Sequence, residues 1–322
     1  MKFKLILLSL ALLLSSQAYS TEKTTLRIGV LAFGTVNWEL STLKNQHLLD
    51  NTDFKIDIHP VANSQAGKIA LQSGAVDIIV ADWVWVSRLR STGSDLSFYP
   101  YSNTSGALVV PNNSPIKSIS DLAGKKLGIA GGELDKNWLL LQALAKQQNQ
   151  LELNTSLDKV YGAPPLLNQQ ILHGRVDAII NYWHFAAKLE AKGYKQLLSG
   201  KEILQQLGIK AEVPTLGYVF NRQWASQHKT IINQFLQATQ QAKDQLCLVD
   251  SAWQQIIPLT KTQDIATQNK LRQRYCDGRV KQWGINEQQA AAKIYTLLRT
   301  LSNNKLTGNA EALQAGTFWT IN

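Results

Sequence analysis

Two segments, 68–89 and 168–189, share one pattern and constrain the fold more than any other feature of the chain. They read KIALQSGAVDIIVADWVWVSRL and NQQILHGRVDAIINYWHFAAKL. In each, a helical pattern leads to Gly-x-Val-Asp, an apolar strand, and a polar and aromatic loop that opens another helix. Chance can produce such a likeness, because Gly ends many helices and Val and Ile fill many strands. Trp83 and Trp183 also stand at equivalent points, so we interpret the repeat as two lobes of similar build.

Strand and helix patterns alternate through most of the remaining chain. The predicted strands cover 26–30, 54–58, 76–80, 126–130, 176–180 and 217–220. Single helical patterns separate them, which predicts an α/β fold with mainly parallel sheets flanked by helices. After residue 220 the apolar spacing predicts helices to the end. The uncharged tail that carries Phe318 and Trp319 is expected to pack onto the protein.

The first 20 residues have the pattern of a cleaved export signal. Lys2 and Lys4 precede an apolar run at 5–14, and Ala18-Tyr19-Ser20 supplies the small residues that a signal peptidase reads. The run is shorter than the roughly 20 residues that span a bilayer, although a buried N-terminal helix is an alternative. We therefore expect cleavage near Ser20 and a soluble mature protein in the periplasm.

Charge and cysteine content narrow the function classes. The formal net charge is +10, but the basic residues are scattered, so nucleic-acid binding is not expected. Cys247 and Cys276 are the two cysteines of the chain. An even pair in an oxidising compartment predicts one disulfide, and two free buried thiols are the alternative. We expect no cofactor and no metal. A metal site at the two cysteines would need more soft ligands near them.

Further stretches follow one another in a characteristic order: LRIGV, ALQSGAVDIIVAD, SGALVVPNNSPIKSISDLAGKKLGIAGG, LLNQQILHGRVDAIINYW and VPTLGYVFN. In this order they resemble the nitrate/sulfonate/taurine and thiamine-precursor class of ABC-transporter substrate-binding proteins. The resemblance extends over nearly all of residues 24–245, and SISDLAGKKLGI is its most specific piece.

This resemblance implies a type II periplasmic binding fold, in which two lobes joined by two crossings hold a ligand in a cleft. Residues 21–103 and 216–322, with the C-terminal helices, are expected to form the first lobe, and 104–215 the second. The implied function is that of the solute-binding component of an ABC importer. This component is a monomer and not an enzyme. It captures a small organic ligand by an open–closed movement and delivers the ligand to a permease in the inner membrane.

Ligands of parallel α/β sheets bind beyond the carboxyl ends of the strands. Applied to the predicted strand ends, this rule selects a set of candidate ligand-binding residues. They are Asn37, Trp38, Ser64, Gln65, Asp82, Trp83, Ser105, Gly132, Glu133, Asp135, Trp138, Tyr161, Asn181 and Trp183.

Each candidate also has a purely structural interpretation. The tryptophans at the strand ends suit stacking on a flat or cationic ligand, but they could equally fill the core. Ser64 and Gln65 could cap a helix. A helix N-terminus that faces the cleft would offer free N–H groups to an anion. Gly131 and Gly132 fit a close approach of the backbone or a plain tight turn.

Three acids among the candidates bear on the ligand's charge. Asp82, Glu133 and Asp135 either cap helices or face the cleft. If two or more face the cleft, a small anion is a poor ligand, because burying like charges together is costly. An amine, an aminopyrimidine or a polyol would then be favoured, and a hard metal ion is a further alternative. Lys136 would weaken this inference by neutralising one acid.

Other functions stay open at the sequence level. A periplasmic sensor or partner-presenting protein would use the same fold. The pyrimidine synthases of thiamine biosynthesis, which are enzymes, share the fold as well. Export argues against this enzymatic role, and the chain has no recognisable catalytic motif such as Gly-x-Ser-x-Gly or His-Glu-x-x-His.

Overall fold

The structure is a computed structural model that describes residues 23–32 and 34–321. The predicted export signal at 1–20 lies outside the described residues. Strands and helices alternate, and the strands form two separate five-stranded sheets. The unit around each sheet is called a lobe below.

The first sheet has the order β2-β1-β3-β10-β4. β1 is parallel to β2 and β3, whereas β10 is antiparallel to β3 and β4. Four of the five strands therefore point the same way, and β10 is reversed. The bounds are β1 Thr24–Leu31, β2 Phe54–Val61, β3 Ile78–Asp82, β4 Leu96–Ser102 and β10 Leu216–Asn221.

The second sheet repeats this arrangement in the order β7-β6-β8-β5-β9. β6 is parallel to β7 and β8, and β5 is antiparallel to β8 and β9, so β5 is the reversed strand. The bounds are β5 Gly106–Val110, β6 Lys126–Ala130, β7 Asp158–Gly162, β8 Ala178–Tyr182 and β9 Lys195–Ser199. The expected α/β fold with mainly parallel sheets is confirmed.

The reversed strands mark where the chain passes between the sheets. β4 of the first sheet leads through residues 103–105 into β5 of the second. β10 returns the chain to the first sheet after β9 and its helix. The predicted lobe limits, 21–103 with 216–322 and 104–215, stay a prediction.

Helices cover the sheets, and their positions match the predicted alternation. Their bounds are α1 Val36–Asn45, α2 Ser64–Gln72, α3 Trp83–Arg90, α4 Lys136–Asn149, α5 Leu153–Ser156, α6 Pro164–Leu172, α7 Trp183–Glu190, α8 Gly200–Gln206, α9 Arg222–Gln227, α10 Lys229–Leu248, α11 Asp250–Thr260, α12 Ile265–Asp277 and α13 Ile285–Leu301. The expectation of helices to the end is wrong beyond Leu301, because residues 302–321 form turns and an isolated bridge between Phe98 and Phe318.

The repeated Gly-x-Val-Asp has the same structural role in both lobes. Gly74 and Gly174 end α2 and α6 with φ of 74° and 64°, a region that disfavours a side chain. Asp77 accepts a hydrogen bond from the backbone N–H of Arg27 (2.9 Å) in β1. Asp177 accepts the equivalent bond from Lys126 (2.8 Å) in β6. The motif therefore ends a helix and fastens the following strand to its neighbour.

The C-terminal helices connect the two lobes. The predicted disulfide between Cys247 and Cys276 is present and ties the end of α10 to the end of α12. α12 packs against α7 of the second lobe, and α13 packs against α4. Trp319 is buried on the first sheet, as expected for the tail. Burial of apolar side chains across these contacts stabilises the lobes against each other.

Candidate ligand-binding site between the lobes

Residues at the strand ends of the two lobes meet directly. Asp82, the last residue of β3, forms an ion pair with Lys136 Nζ (3.3 Å), which begins α4 of the second lobe. Trp38, in α1 after β1, contacts Trp183 after β8 with ring centroids 6.0 Å apart. The carboxyl ends of the parallel strands therefore enclose one crevice, as the topological rule requires.

Asp82 has both a structural and an electrostatic role in this crevice. Its Oδ1 caps α3 by accepting a hydrogen bond from the backbone N–H of Trp85 (2.9 Å). Its Oδ2 lies 3.3 Å from Lys136 Nζ and 3.8 Å from Lys68 Nζ. Burial raises the pKa of Asp82, but the two ammonium groups and the capping bond outweigh burial and hold the pKa below its ordinary value. Asp82 therefore caps α3 in its ionised form.

Asp135 caps α4 beside the glycine turn. Its Oδ1 accepts a hydrogen bond from the backbone N–H of Trp138 (3.0 Å). Gly131 and Gly132 precede it with φ of 83° and 84°, and a Cβ at Gly131 would press on Asp135 and on the Tyr182 hydroxyl. Burial raises the pKa of Asp135 to about 6, in spite of the capping bond and nearby Lys136. The Asp135 carboxyl therefore takes up a proton at a higher pH than an ordinary aspartate does.

Glu133 is exposed, unlike the other two acids. Its carboxylate forms an ion pair with Lys305 Nζ (2.8 Å), and both side chains are exposed. Two of the three acids thus cap helices and the third pairs with a lysine on the surface. Lys136 pairs with Asp82, which weakens the inference that the acids favour a cationic ligand.

Trp38 and Trp183 are packed on protein side chains. Trp38 makes edge contacts with Trp183 and Trp253 and a tilted contact with Tyr275, at centroid distances of 6.0, 5.5 and 5.6 Å. These rings form a buried cluster with Leu271. It joins α1, α7, α11 and α12, so it holds the lobes together in this closed arrangement.

Trp83, Trp138 and Asn181 are also buried. The indole N–H of Trp83 donates to the carbonyl of Pro214 (2.9 Å), next to the second crossing. Trp138 lies in the apolar core. The amide N–H₂ of Asn181 donates to Pro164 O (2.9 Å) and to Asn168 Oδ1 (2.8 Å). In this conformation their side chains stabilise protein structure.

The remaining candidates are more accessible. Ser64, Gln65 and Tyr161 are exposed, while Asn37, Ser105 and Gly132 are partly buried. The proposed capping by Ser64 or Gln65 is wrong. Asn63 caps α2, because its side chain accepts from the backbone N–H of Ala66 (2.9 Å).

The crevice is closed. The cavity lined by Trp83, Ser105, Lys136 and Asn137 has a volume of ≈ 20 Å³. That space holds about one water molecule, far less than the roughly 300 Å³ of a typical small-molecule pocket. An organic ligand therefore requires the lobes to separate.

Sequence analysis missed several polar groups at and behind this site. Lys68 lies one helical turn after Ser64, a spacing that could have indicated it. Glu39, fully buried, accepts hydrogen bonds from the hydroxyls of Tyr218 (2.5 Å) and Tyr275 (2.8 Å). Lys243 Nζ lies 2.5 Å from Glu39 Oε2. No local pattern predicts this network, because its members come from four separate elements.

Within residues 23–32 and 34–321, no group of three or more His, Cys, Asp or Glu side chains is arranged to hold a metal ion. In the same part of the chain, no helix combines the length and the apolar character that a membrane span needs.

Residues 52–247 match the profile of the family described as NMT1/THI5 like, which covers more than half of the chain. The chain belongs to this NMT1/THI5-like family. No curated protein matches it.

Solved structures share its fold. The alkanesulfonate-binding protein SsuA from Xanthomonas axonopodis pv. citri bound to MOPS has a TM-score of 0.69 at 18% identity, over 92% of this chain and 99% of that chain. The periplasmic aliphatic sulphonate binding protein SsuA from Escherichia coli has a TM-score of 0.71 at 19% identity, over 92% and 97%. A ligand binding component of an ABC-type import system from Staphylococcus aureus, with zinc bound, has a TM-score of 0.67 at 15% identity, over 92% and 96%. At these identities the likeness shows the periplasmic binding protein fold of this NMT1/THI5-like chain.

Proposed function

We propose that the chain is the periplasmic solute-binding component of an ABC importer and captures a small organic ligand between its lobes. The observation that carries this proposal is the crevice, where the strand ends of two similarly built lobes face each other beside two chain crossings. The names of the structures that share the fold support it, since each is a ligand-binding protein.

The closed crevice determines the order of events in this mechanism. The cavity of ≈ 20 Å³ has no room for an organic solute, so the solute enters an open form. Contacts with both strand-end surfaces then favour the closed form over the open one. The ligand shifts the equilibrium by the difference in its affinity for the two forms, and the transporter recognises the closed shape.

The exposed and partly buried candidates are the proposed contact residues of the open form. They are Asn37, Ser64, Gln65, Ser105, Gly132 and Tyr161. The buried tryptophans become ligand contacts to the extent that opening exposes them, and Trp38 and Trp183 separate first because they lie on different lobes. Asp82 and Asp135 continue to cap α3 and α4 in either form.

A binding role is favoured over an enzymatic one. The carboxylates at the crevice are committed to caps and ion pairs, whereas a general acid or base must reach a substrate proton. We further propose that the protein acts outside the cytoplasm as a monomer and that its partner is the permease of the importer.

A thermal-shift screen of the protein without residues 1–20 tests the proposed function. The panel contains sulfonates, nitrate, aminopyrimidines, polyamines, polyols and metal ions. A ligand at about 100 times its Kd stabilises the folded state by roughly 2.7 kcal/mol, a shift of several degrees. A saturable shift with one solute class, confirmed by calorimetry, is the expected result. No shift with any solute would contradict a solute-binding role and favour a protein partner.

A further inference from the structure

Two lysines share one carboxylate inside the crevice. Lys136 Nζ of the second lobe lies 3.3 Å from Asp82 Oδ2, and Lys68 Nζ of the first lobe lies 3.8 Å from the same atom. The lysine side chains are each 20% exposed and that of Asp82 is 13% exposed. The Asp82 Oδ1 atom is already occupied by the backbone N–H of Trp85. A single oxygen therefore faces two ammonium groups.

Lys68 is incompletely compensated. Its distance from Asp82 exceeds that of a hydrogen bond. Its ammonium group lies over the ring of Trp85, 4.8 Å from the centroid, which adds a cation–π attraction. Burial lowers its pKa, and Lys136 and Arg88 lower it further, although Asp82 acts in the opposite direction. The site therefore has an excess of positive charge that Asp82 alone does not balance.

The neighbouring acids do not supply the missing charge. Asp135 directs one oxygen to the backbone N–H of Trp138, and burial raises its pKa to about 6. Glu133 is paired with Lys305 on the surface. A group that carries free oxyanion oxygens would satisfy the two lysines, since each ammonium has three donors.

We propose that Lys68 and Lys136 form a recognition site for an oxyanion group of the ligand, and that Asp82 is an internal competitor that occupies this site when the lobes close without ligand. The proposal rests on the proposed function. Lys68 and Asp82 belong to the first lobe and Lys136 to the second, so opening breaks the Lys136–Asp82 pair and leaves the Lys68–Asp82 pair in place. An acidic ligand group then takes the place of Asp82 at Lys136 when the lobes close again.

The substitution Asp82→Asn tests this arrangement. Asn caps helices as well as Asp does, so the start of α3 is retained while the competing charge is removed. The probe is inorganic sulfate, titrated against sodium chloride of equal ionic strength, and the readout is the Tm. The proposal predicts that D82N binds sulfate roughly 5- to 10-fold more tightly than the wild type, because a partly buried competing ion pair is gone.

Two controls separate this effect from general stabilisation by sulfate. Asp264→Asn also replaces a capping Asp, at the start of α12, and should respond like the wild type. The double variant D82N/K136Q should lose the added response. Asp82→Ser, which also caps, replaces D82N if that variant does not fold.

Equal, non-saturating gains of Tm in the wild type, D82N and D82N/K136Q would overturn the proposal. A saturable gain in D82N that Lys136→Gln abolishes would support it. The sulfate response needs no organic solute. If D82N binds sulfate as predicted but no organic solute shifts the Tm, the result counts against the importer function alone. If an organic solute shifts the Tm but D82N shows no added sulfate binding, the result counts against the role of Asp82 alone.

Discussion

Replacing Glu190 with Gln is expected to move the ligand-free protein toward an open arrangement of its lobes. Glu190 ends α7 of the second lobe and accepts two hydrogen bonds from Arg274 of α12, from Nε (2.9 Å) and Nη2 (2.5 Å). The Glu190 side chain is only 9% exposed. This paired contact forms across the interface that the aromatic cluster around Trp38 also spans.

The size of the effect follows from the paired geometry. A hydrogen bond to a charged group contributes about 1.5–3 kcal/mol, and a paired carboxylate–guanidinium contact lies at the upper part of that range. Gln retains one acceptor and places an N–H₂ group against the guanidinium. Arg274 keeps a weaker partner in Asp277 at 3.4 Å. We expect the substitution to destabilise the closed state relative to the open state by about 1.5–3 kcal/mol. This corresponds to a roughly 10- to 150-fold shift of the equilibrium toward the open state.

Distances between spin labels measure this shift. Ser73 and His173 are exposed and lie at the equivalent ends of α2 and α6, one in each lobe. Labels introduced there as Ser73→Cys and His173→Cys should show a longer and broader distance distribution in E190Q. Asp250→Asn is the matched control, because Asp250 pairs with Arg272 but is 83% exposed. Exposed pairs contribute little, so this control should resemble the wild type.

One result would refute this reasoning. If E190Q and the control gave the same distance distribution as the wild type, α7 and α12 would belong to one rigid unit. The moving boundary would then lie elsewhere, and the Arg274–Glu190 pair would stabilise the fold without opposing the opening of the lobes.

Two further predictions concern buried charges. Glu39→Gln should lower the free energy of unfolding by roughly 3–5 kcal/mol and the Tm by roughly 10 °C, because Lys243 is left buried without its counter-charge. Thermal melts measure this loss. Asp135→Asn should alter the pH dependence of stability. The folded-state pKa of Asp135 is about 6, above the value near 4 in an unfolded chain. Its protonation stabilises the folded protein at low pH, and that contribution is lost as the pH rises through about 6. In urea titrations, the free energy of unfolding of D135N should therefore rise by roughly 2–3 kcal/mol relative to that of the wild type as the pH rises from about 4 to about 6. At higher pH the difference should stay constant.

The Glu39→Gln prediction has a control variant, and the Asp135→Asn prediction has an outcome that would contradict it. Asp57→Asn removes an exposed carboxylate that pairs with His59 and should leave the Tm nearly unchanged. If E39Q and D57N had similar Tm values, the Lys243 ammonium group would have another counter-charge besides Glu39. A constant stability difference between D135N and the wild type across the pH range would show that Asp135 titrates normally in the folded protein.

The fold was predictable because its signals are local. Gly74 and Gly174 end helices, and the strands that begin at Ile78 and Ala178 follow within a few residues of sequence. The internal repeat and the resemblance to a known class both indicate the two-lobed arrangement. The sequence pattern does not predict strands β4, β5, β7 and β9, since their short, irregular apolar runs give no clear alternation. The cap of α2 was assigned one residue late, because Asn63 and Ser64 are both good capping residues.

The site was less predictable than the fold. The strand-end rule selected Asp82, Asp135, Trp38 and Trp183, and these do lie where the lobes meet. Their contacts, however, depend on partners that are distant in sequence. The crevice around Asp82 can repel or bind an anion, depending on the positions of Lys68 and Lys136. Only the folded structure brings these three residues together.

The most direct test of the central claim is the distance between the Ser73 and His173 labels, measured with and without a solute that shifts the Tm. The account predicts that the ligand-free protein contains open conformers and that saturating solute removes them and leaves one short distance. An unchanged distribution at saturation would contradict capture between the lobes, because the solute would then bind without closing the crevice.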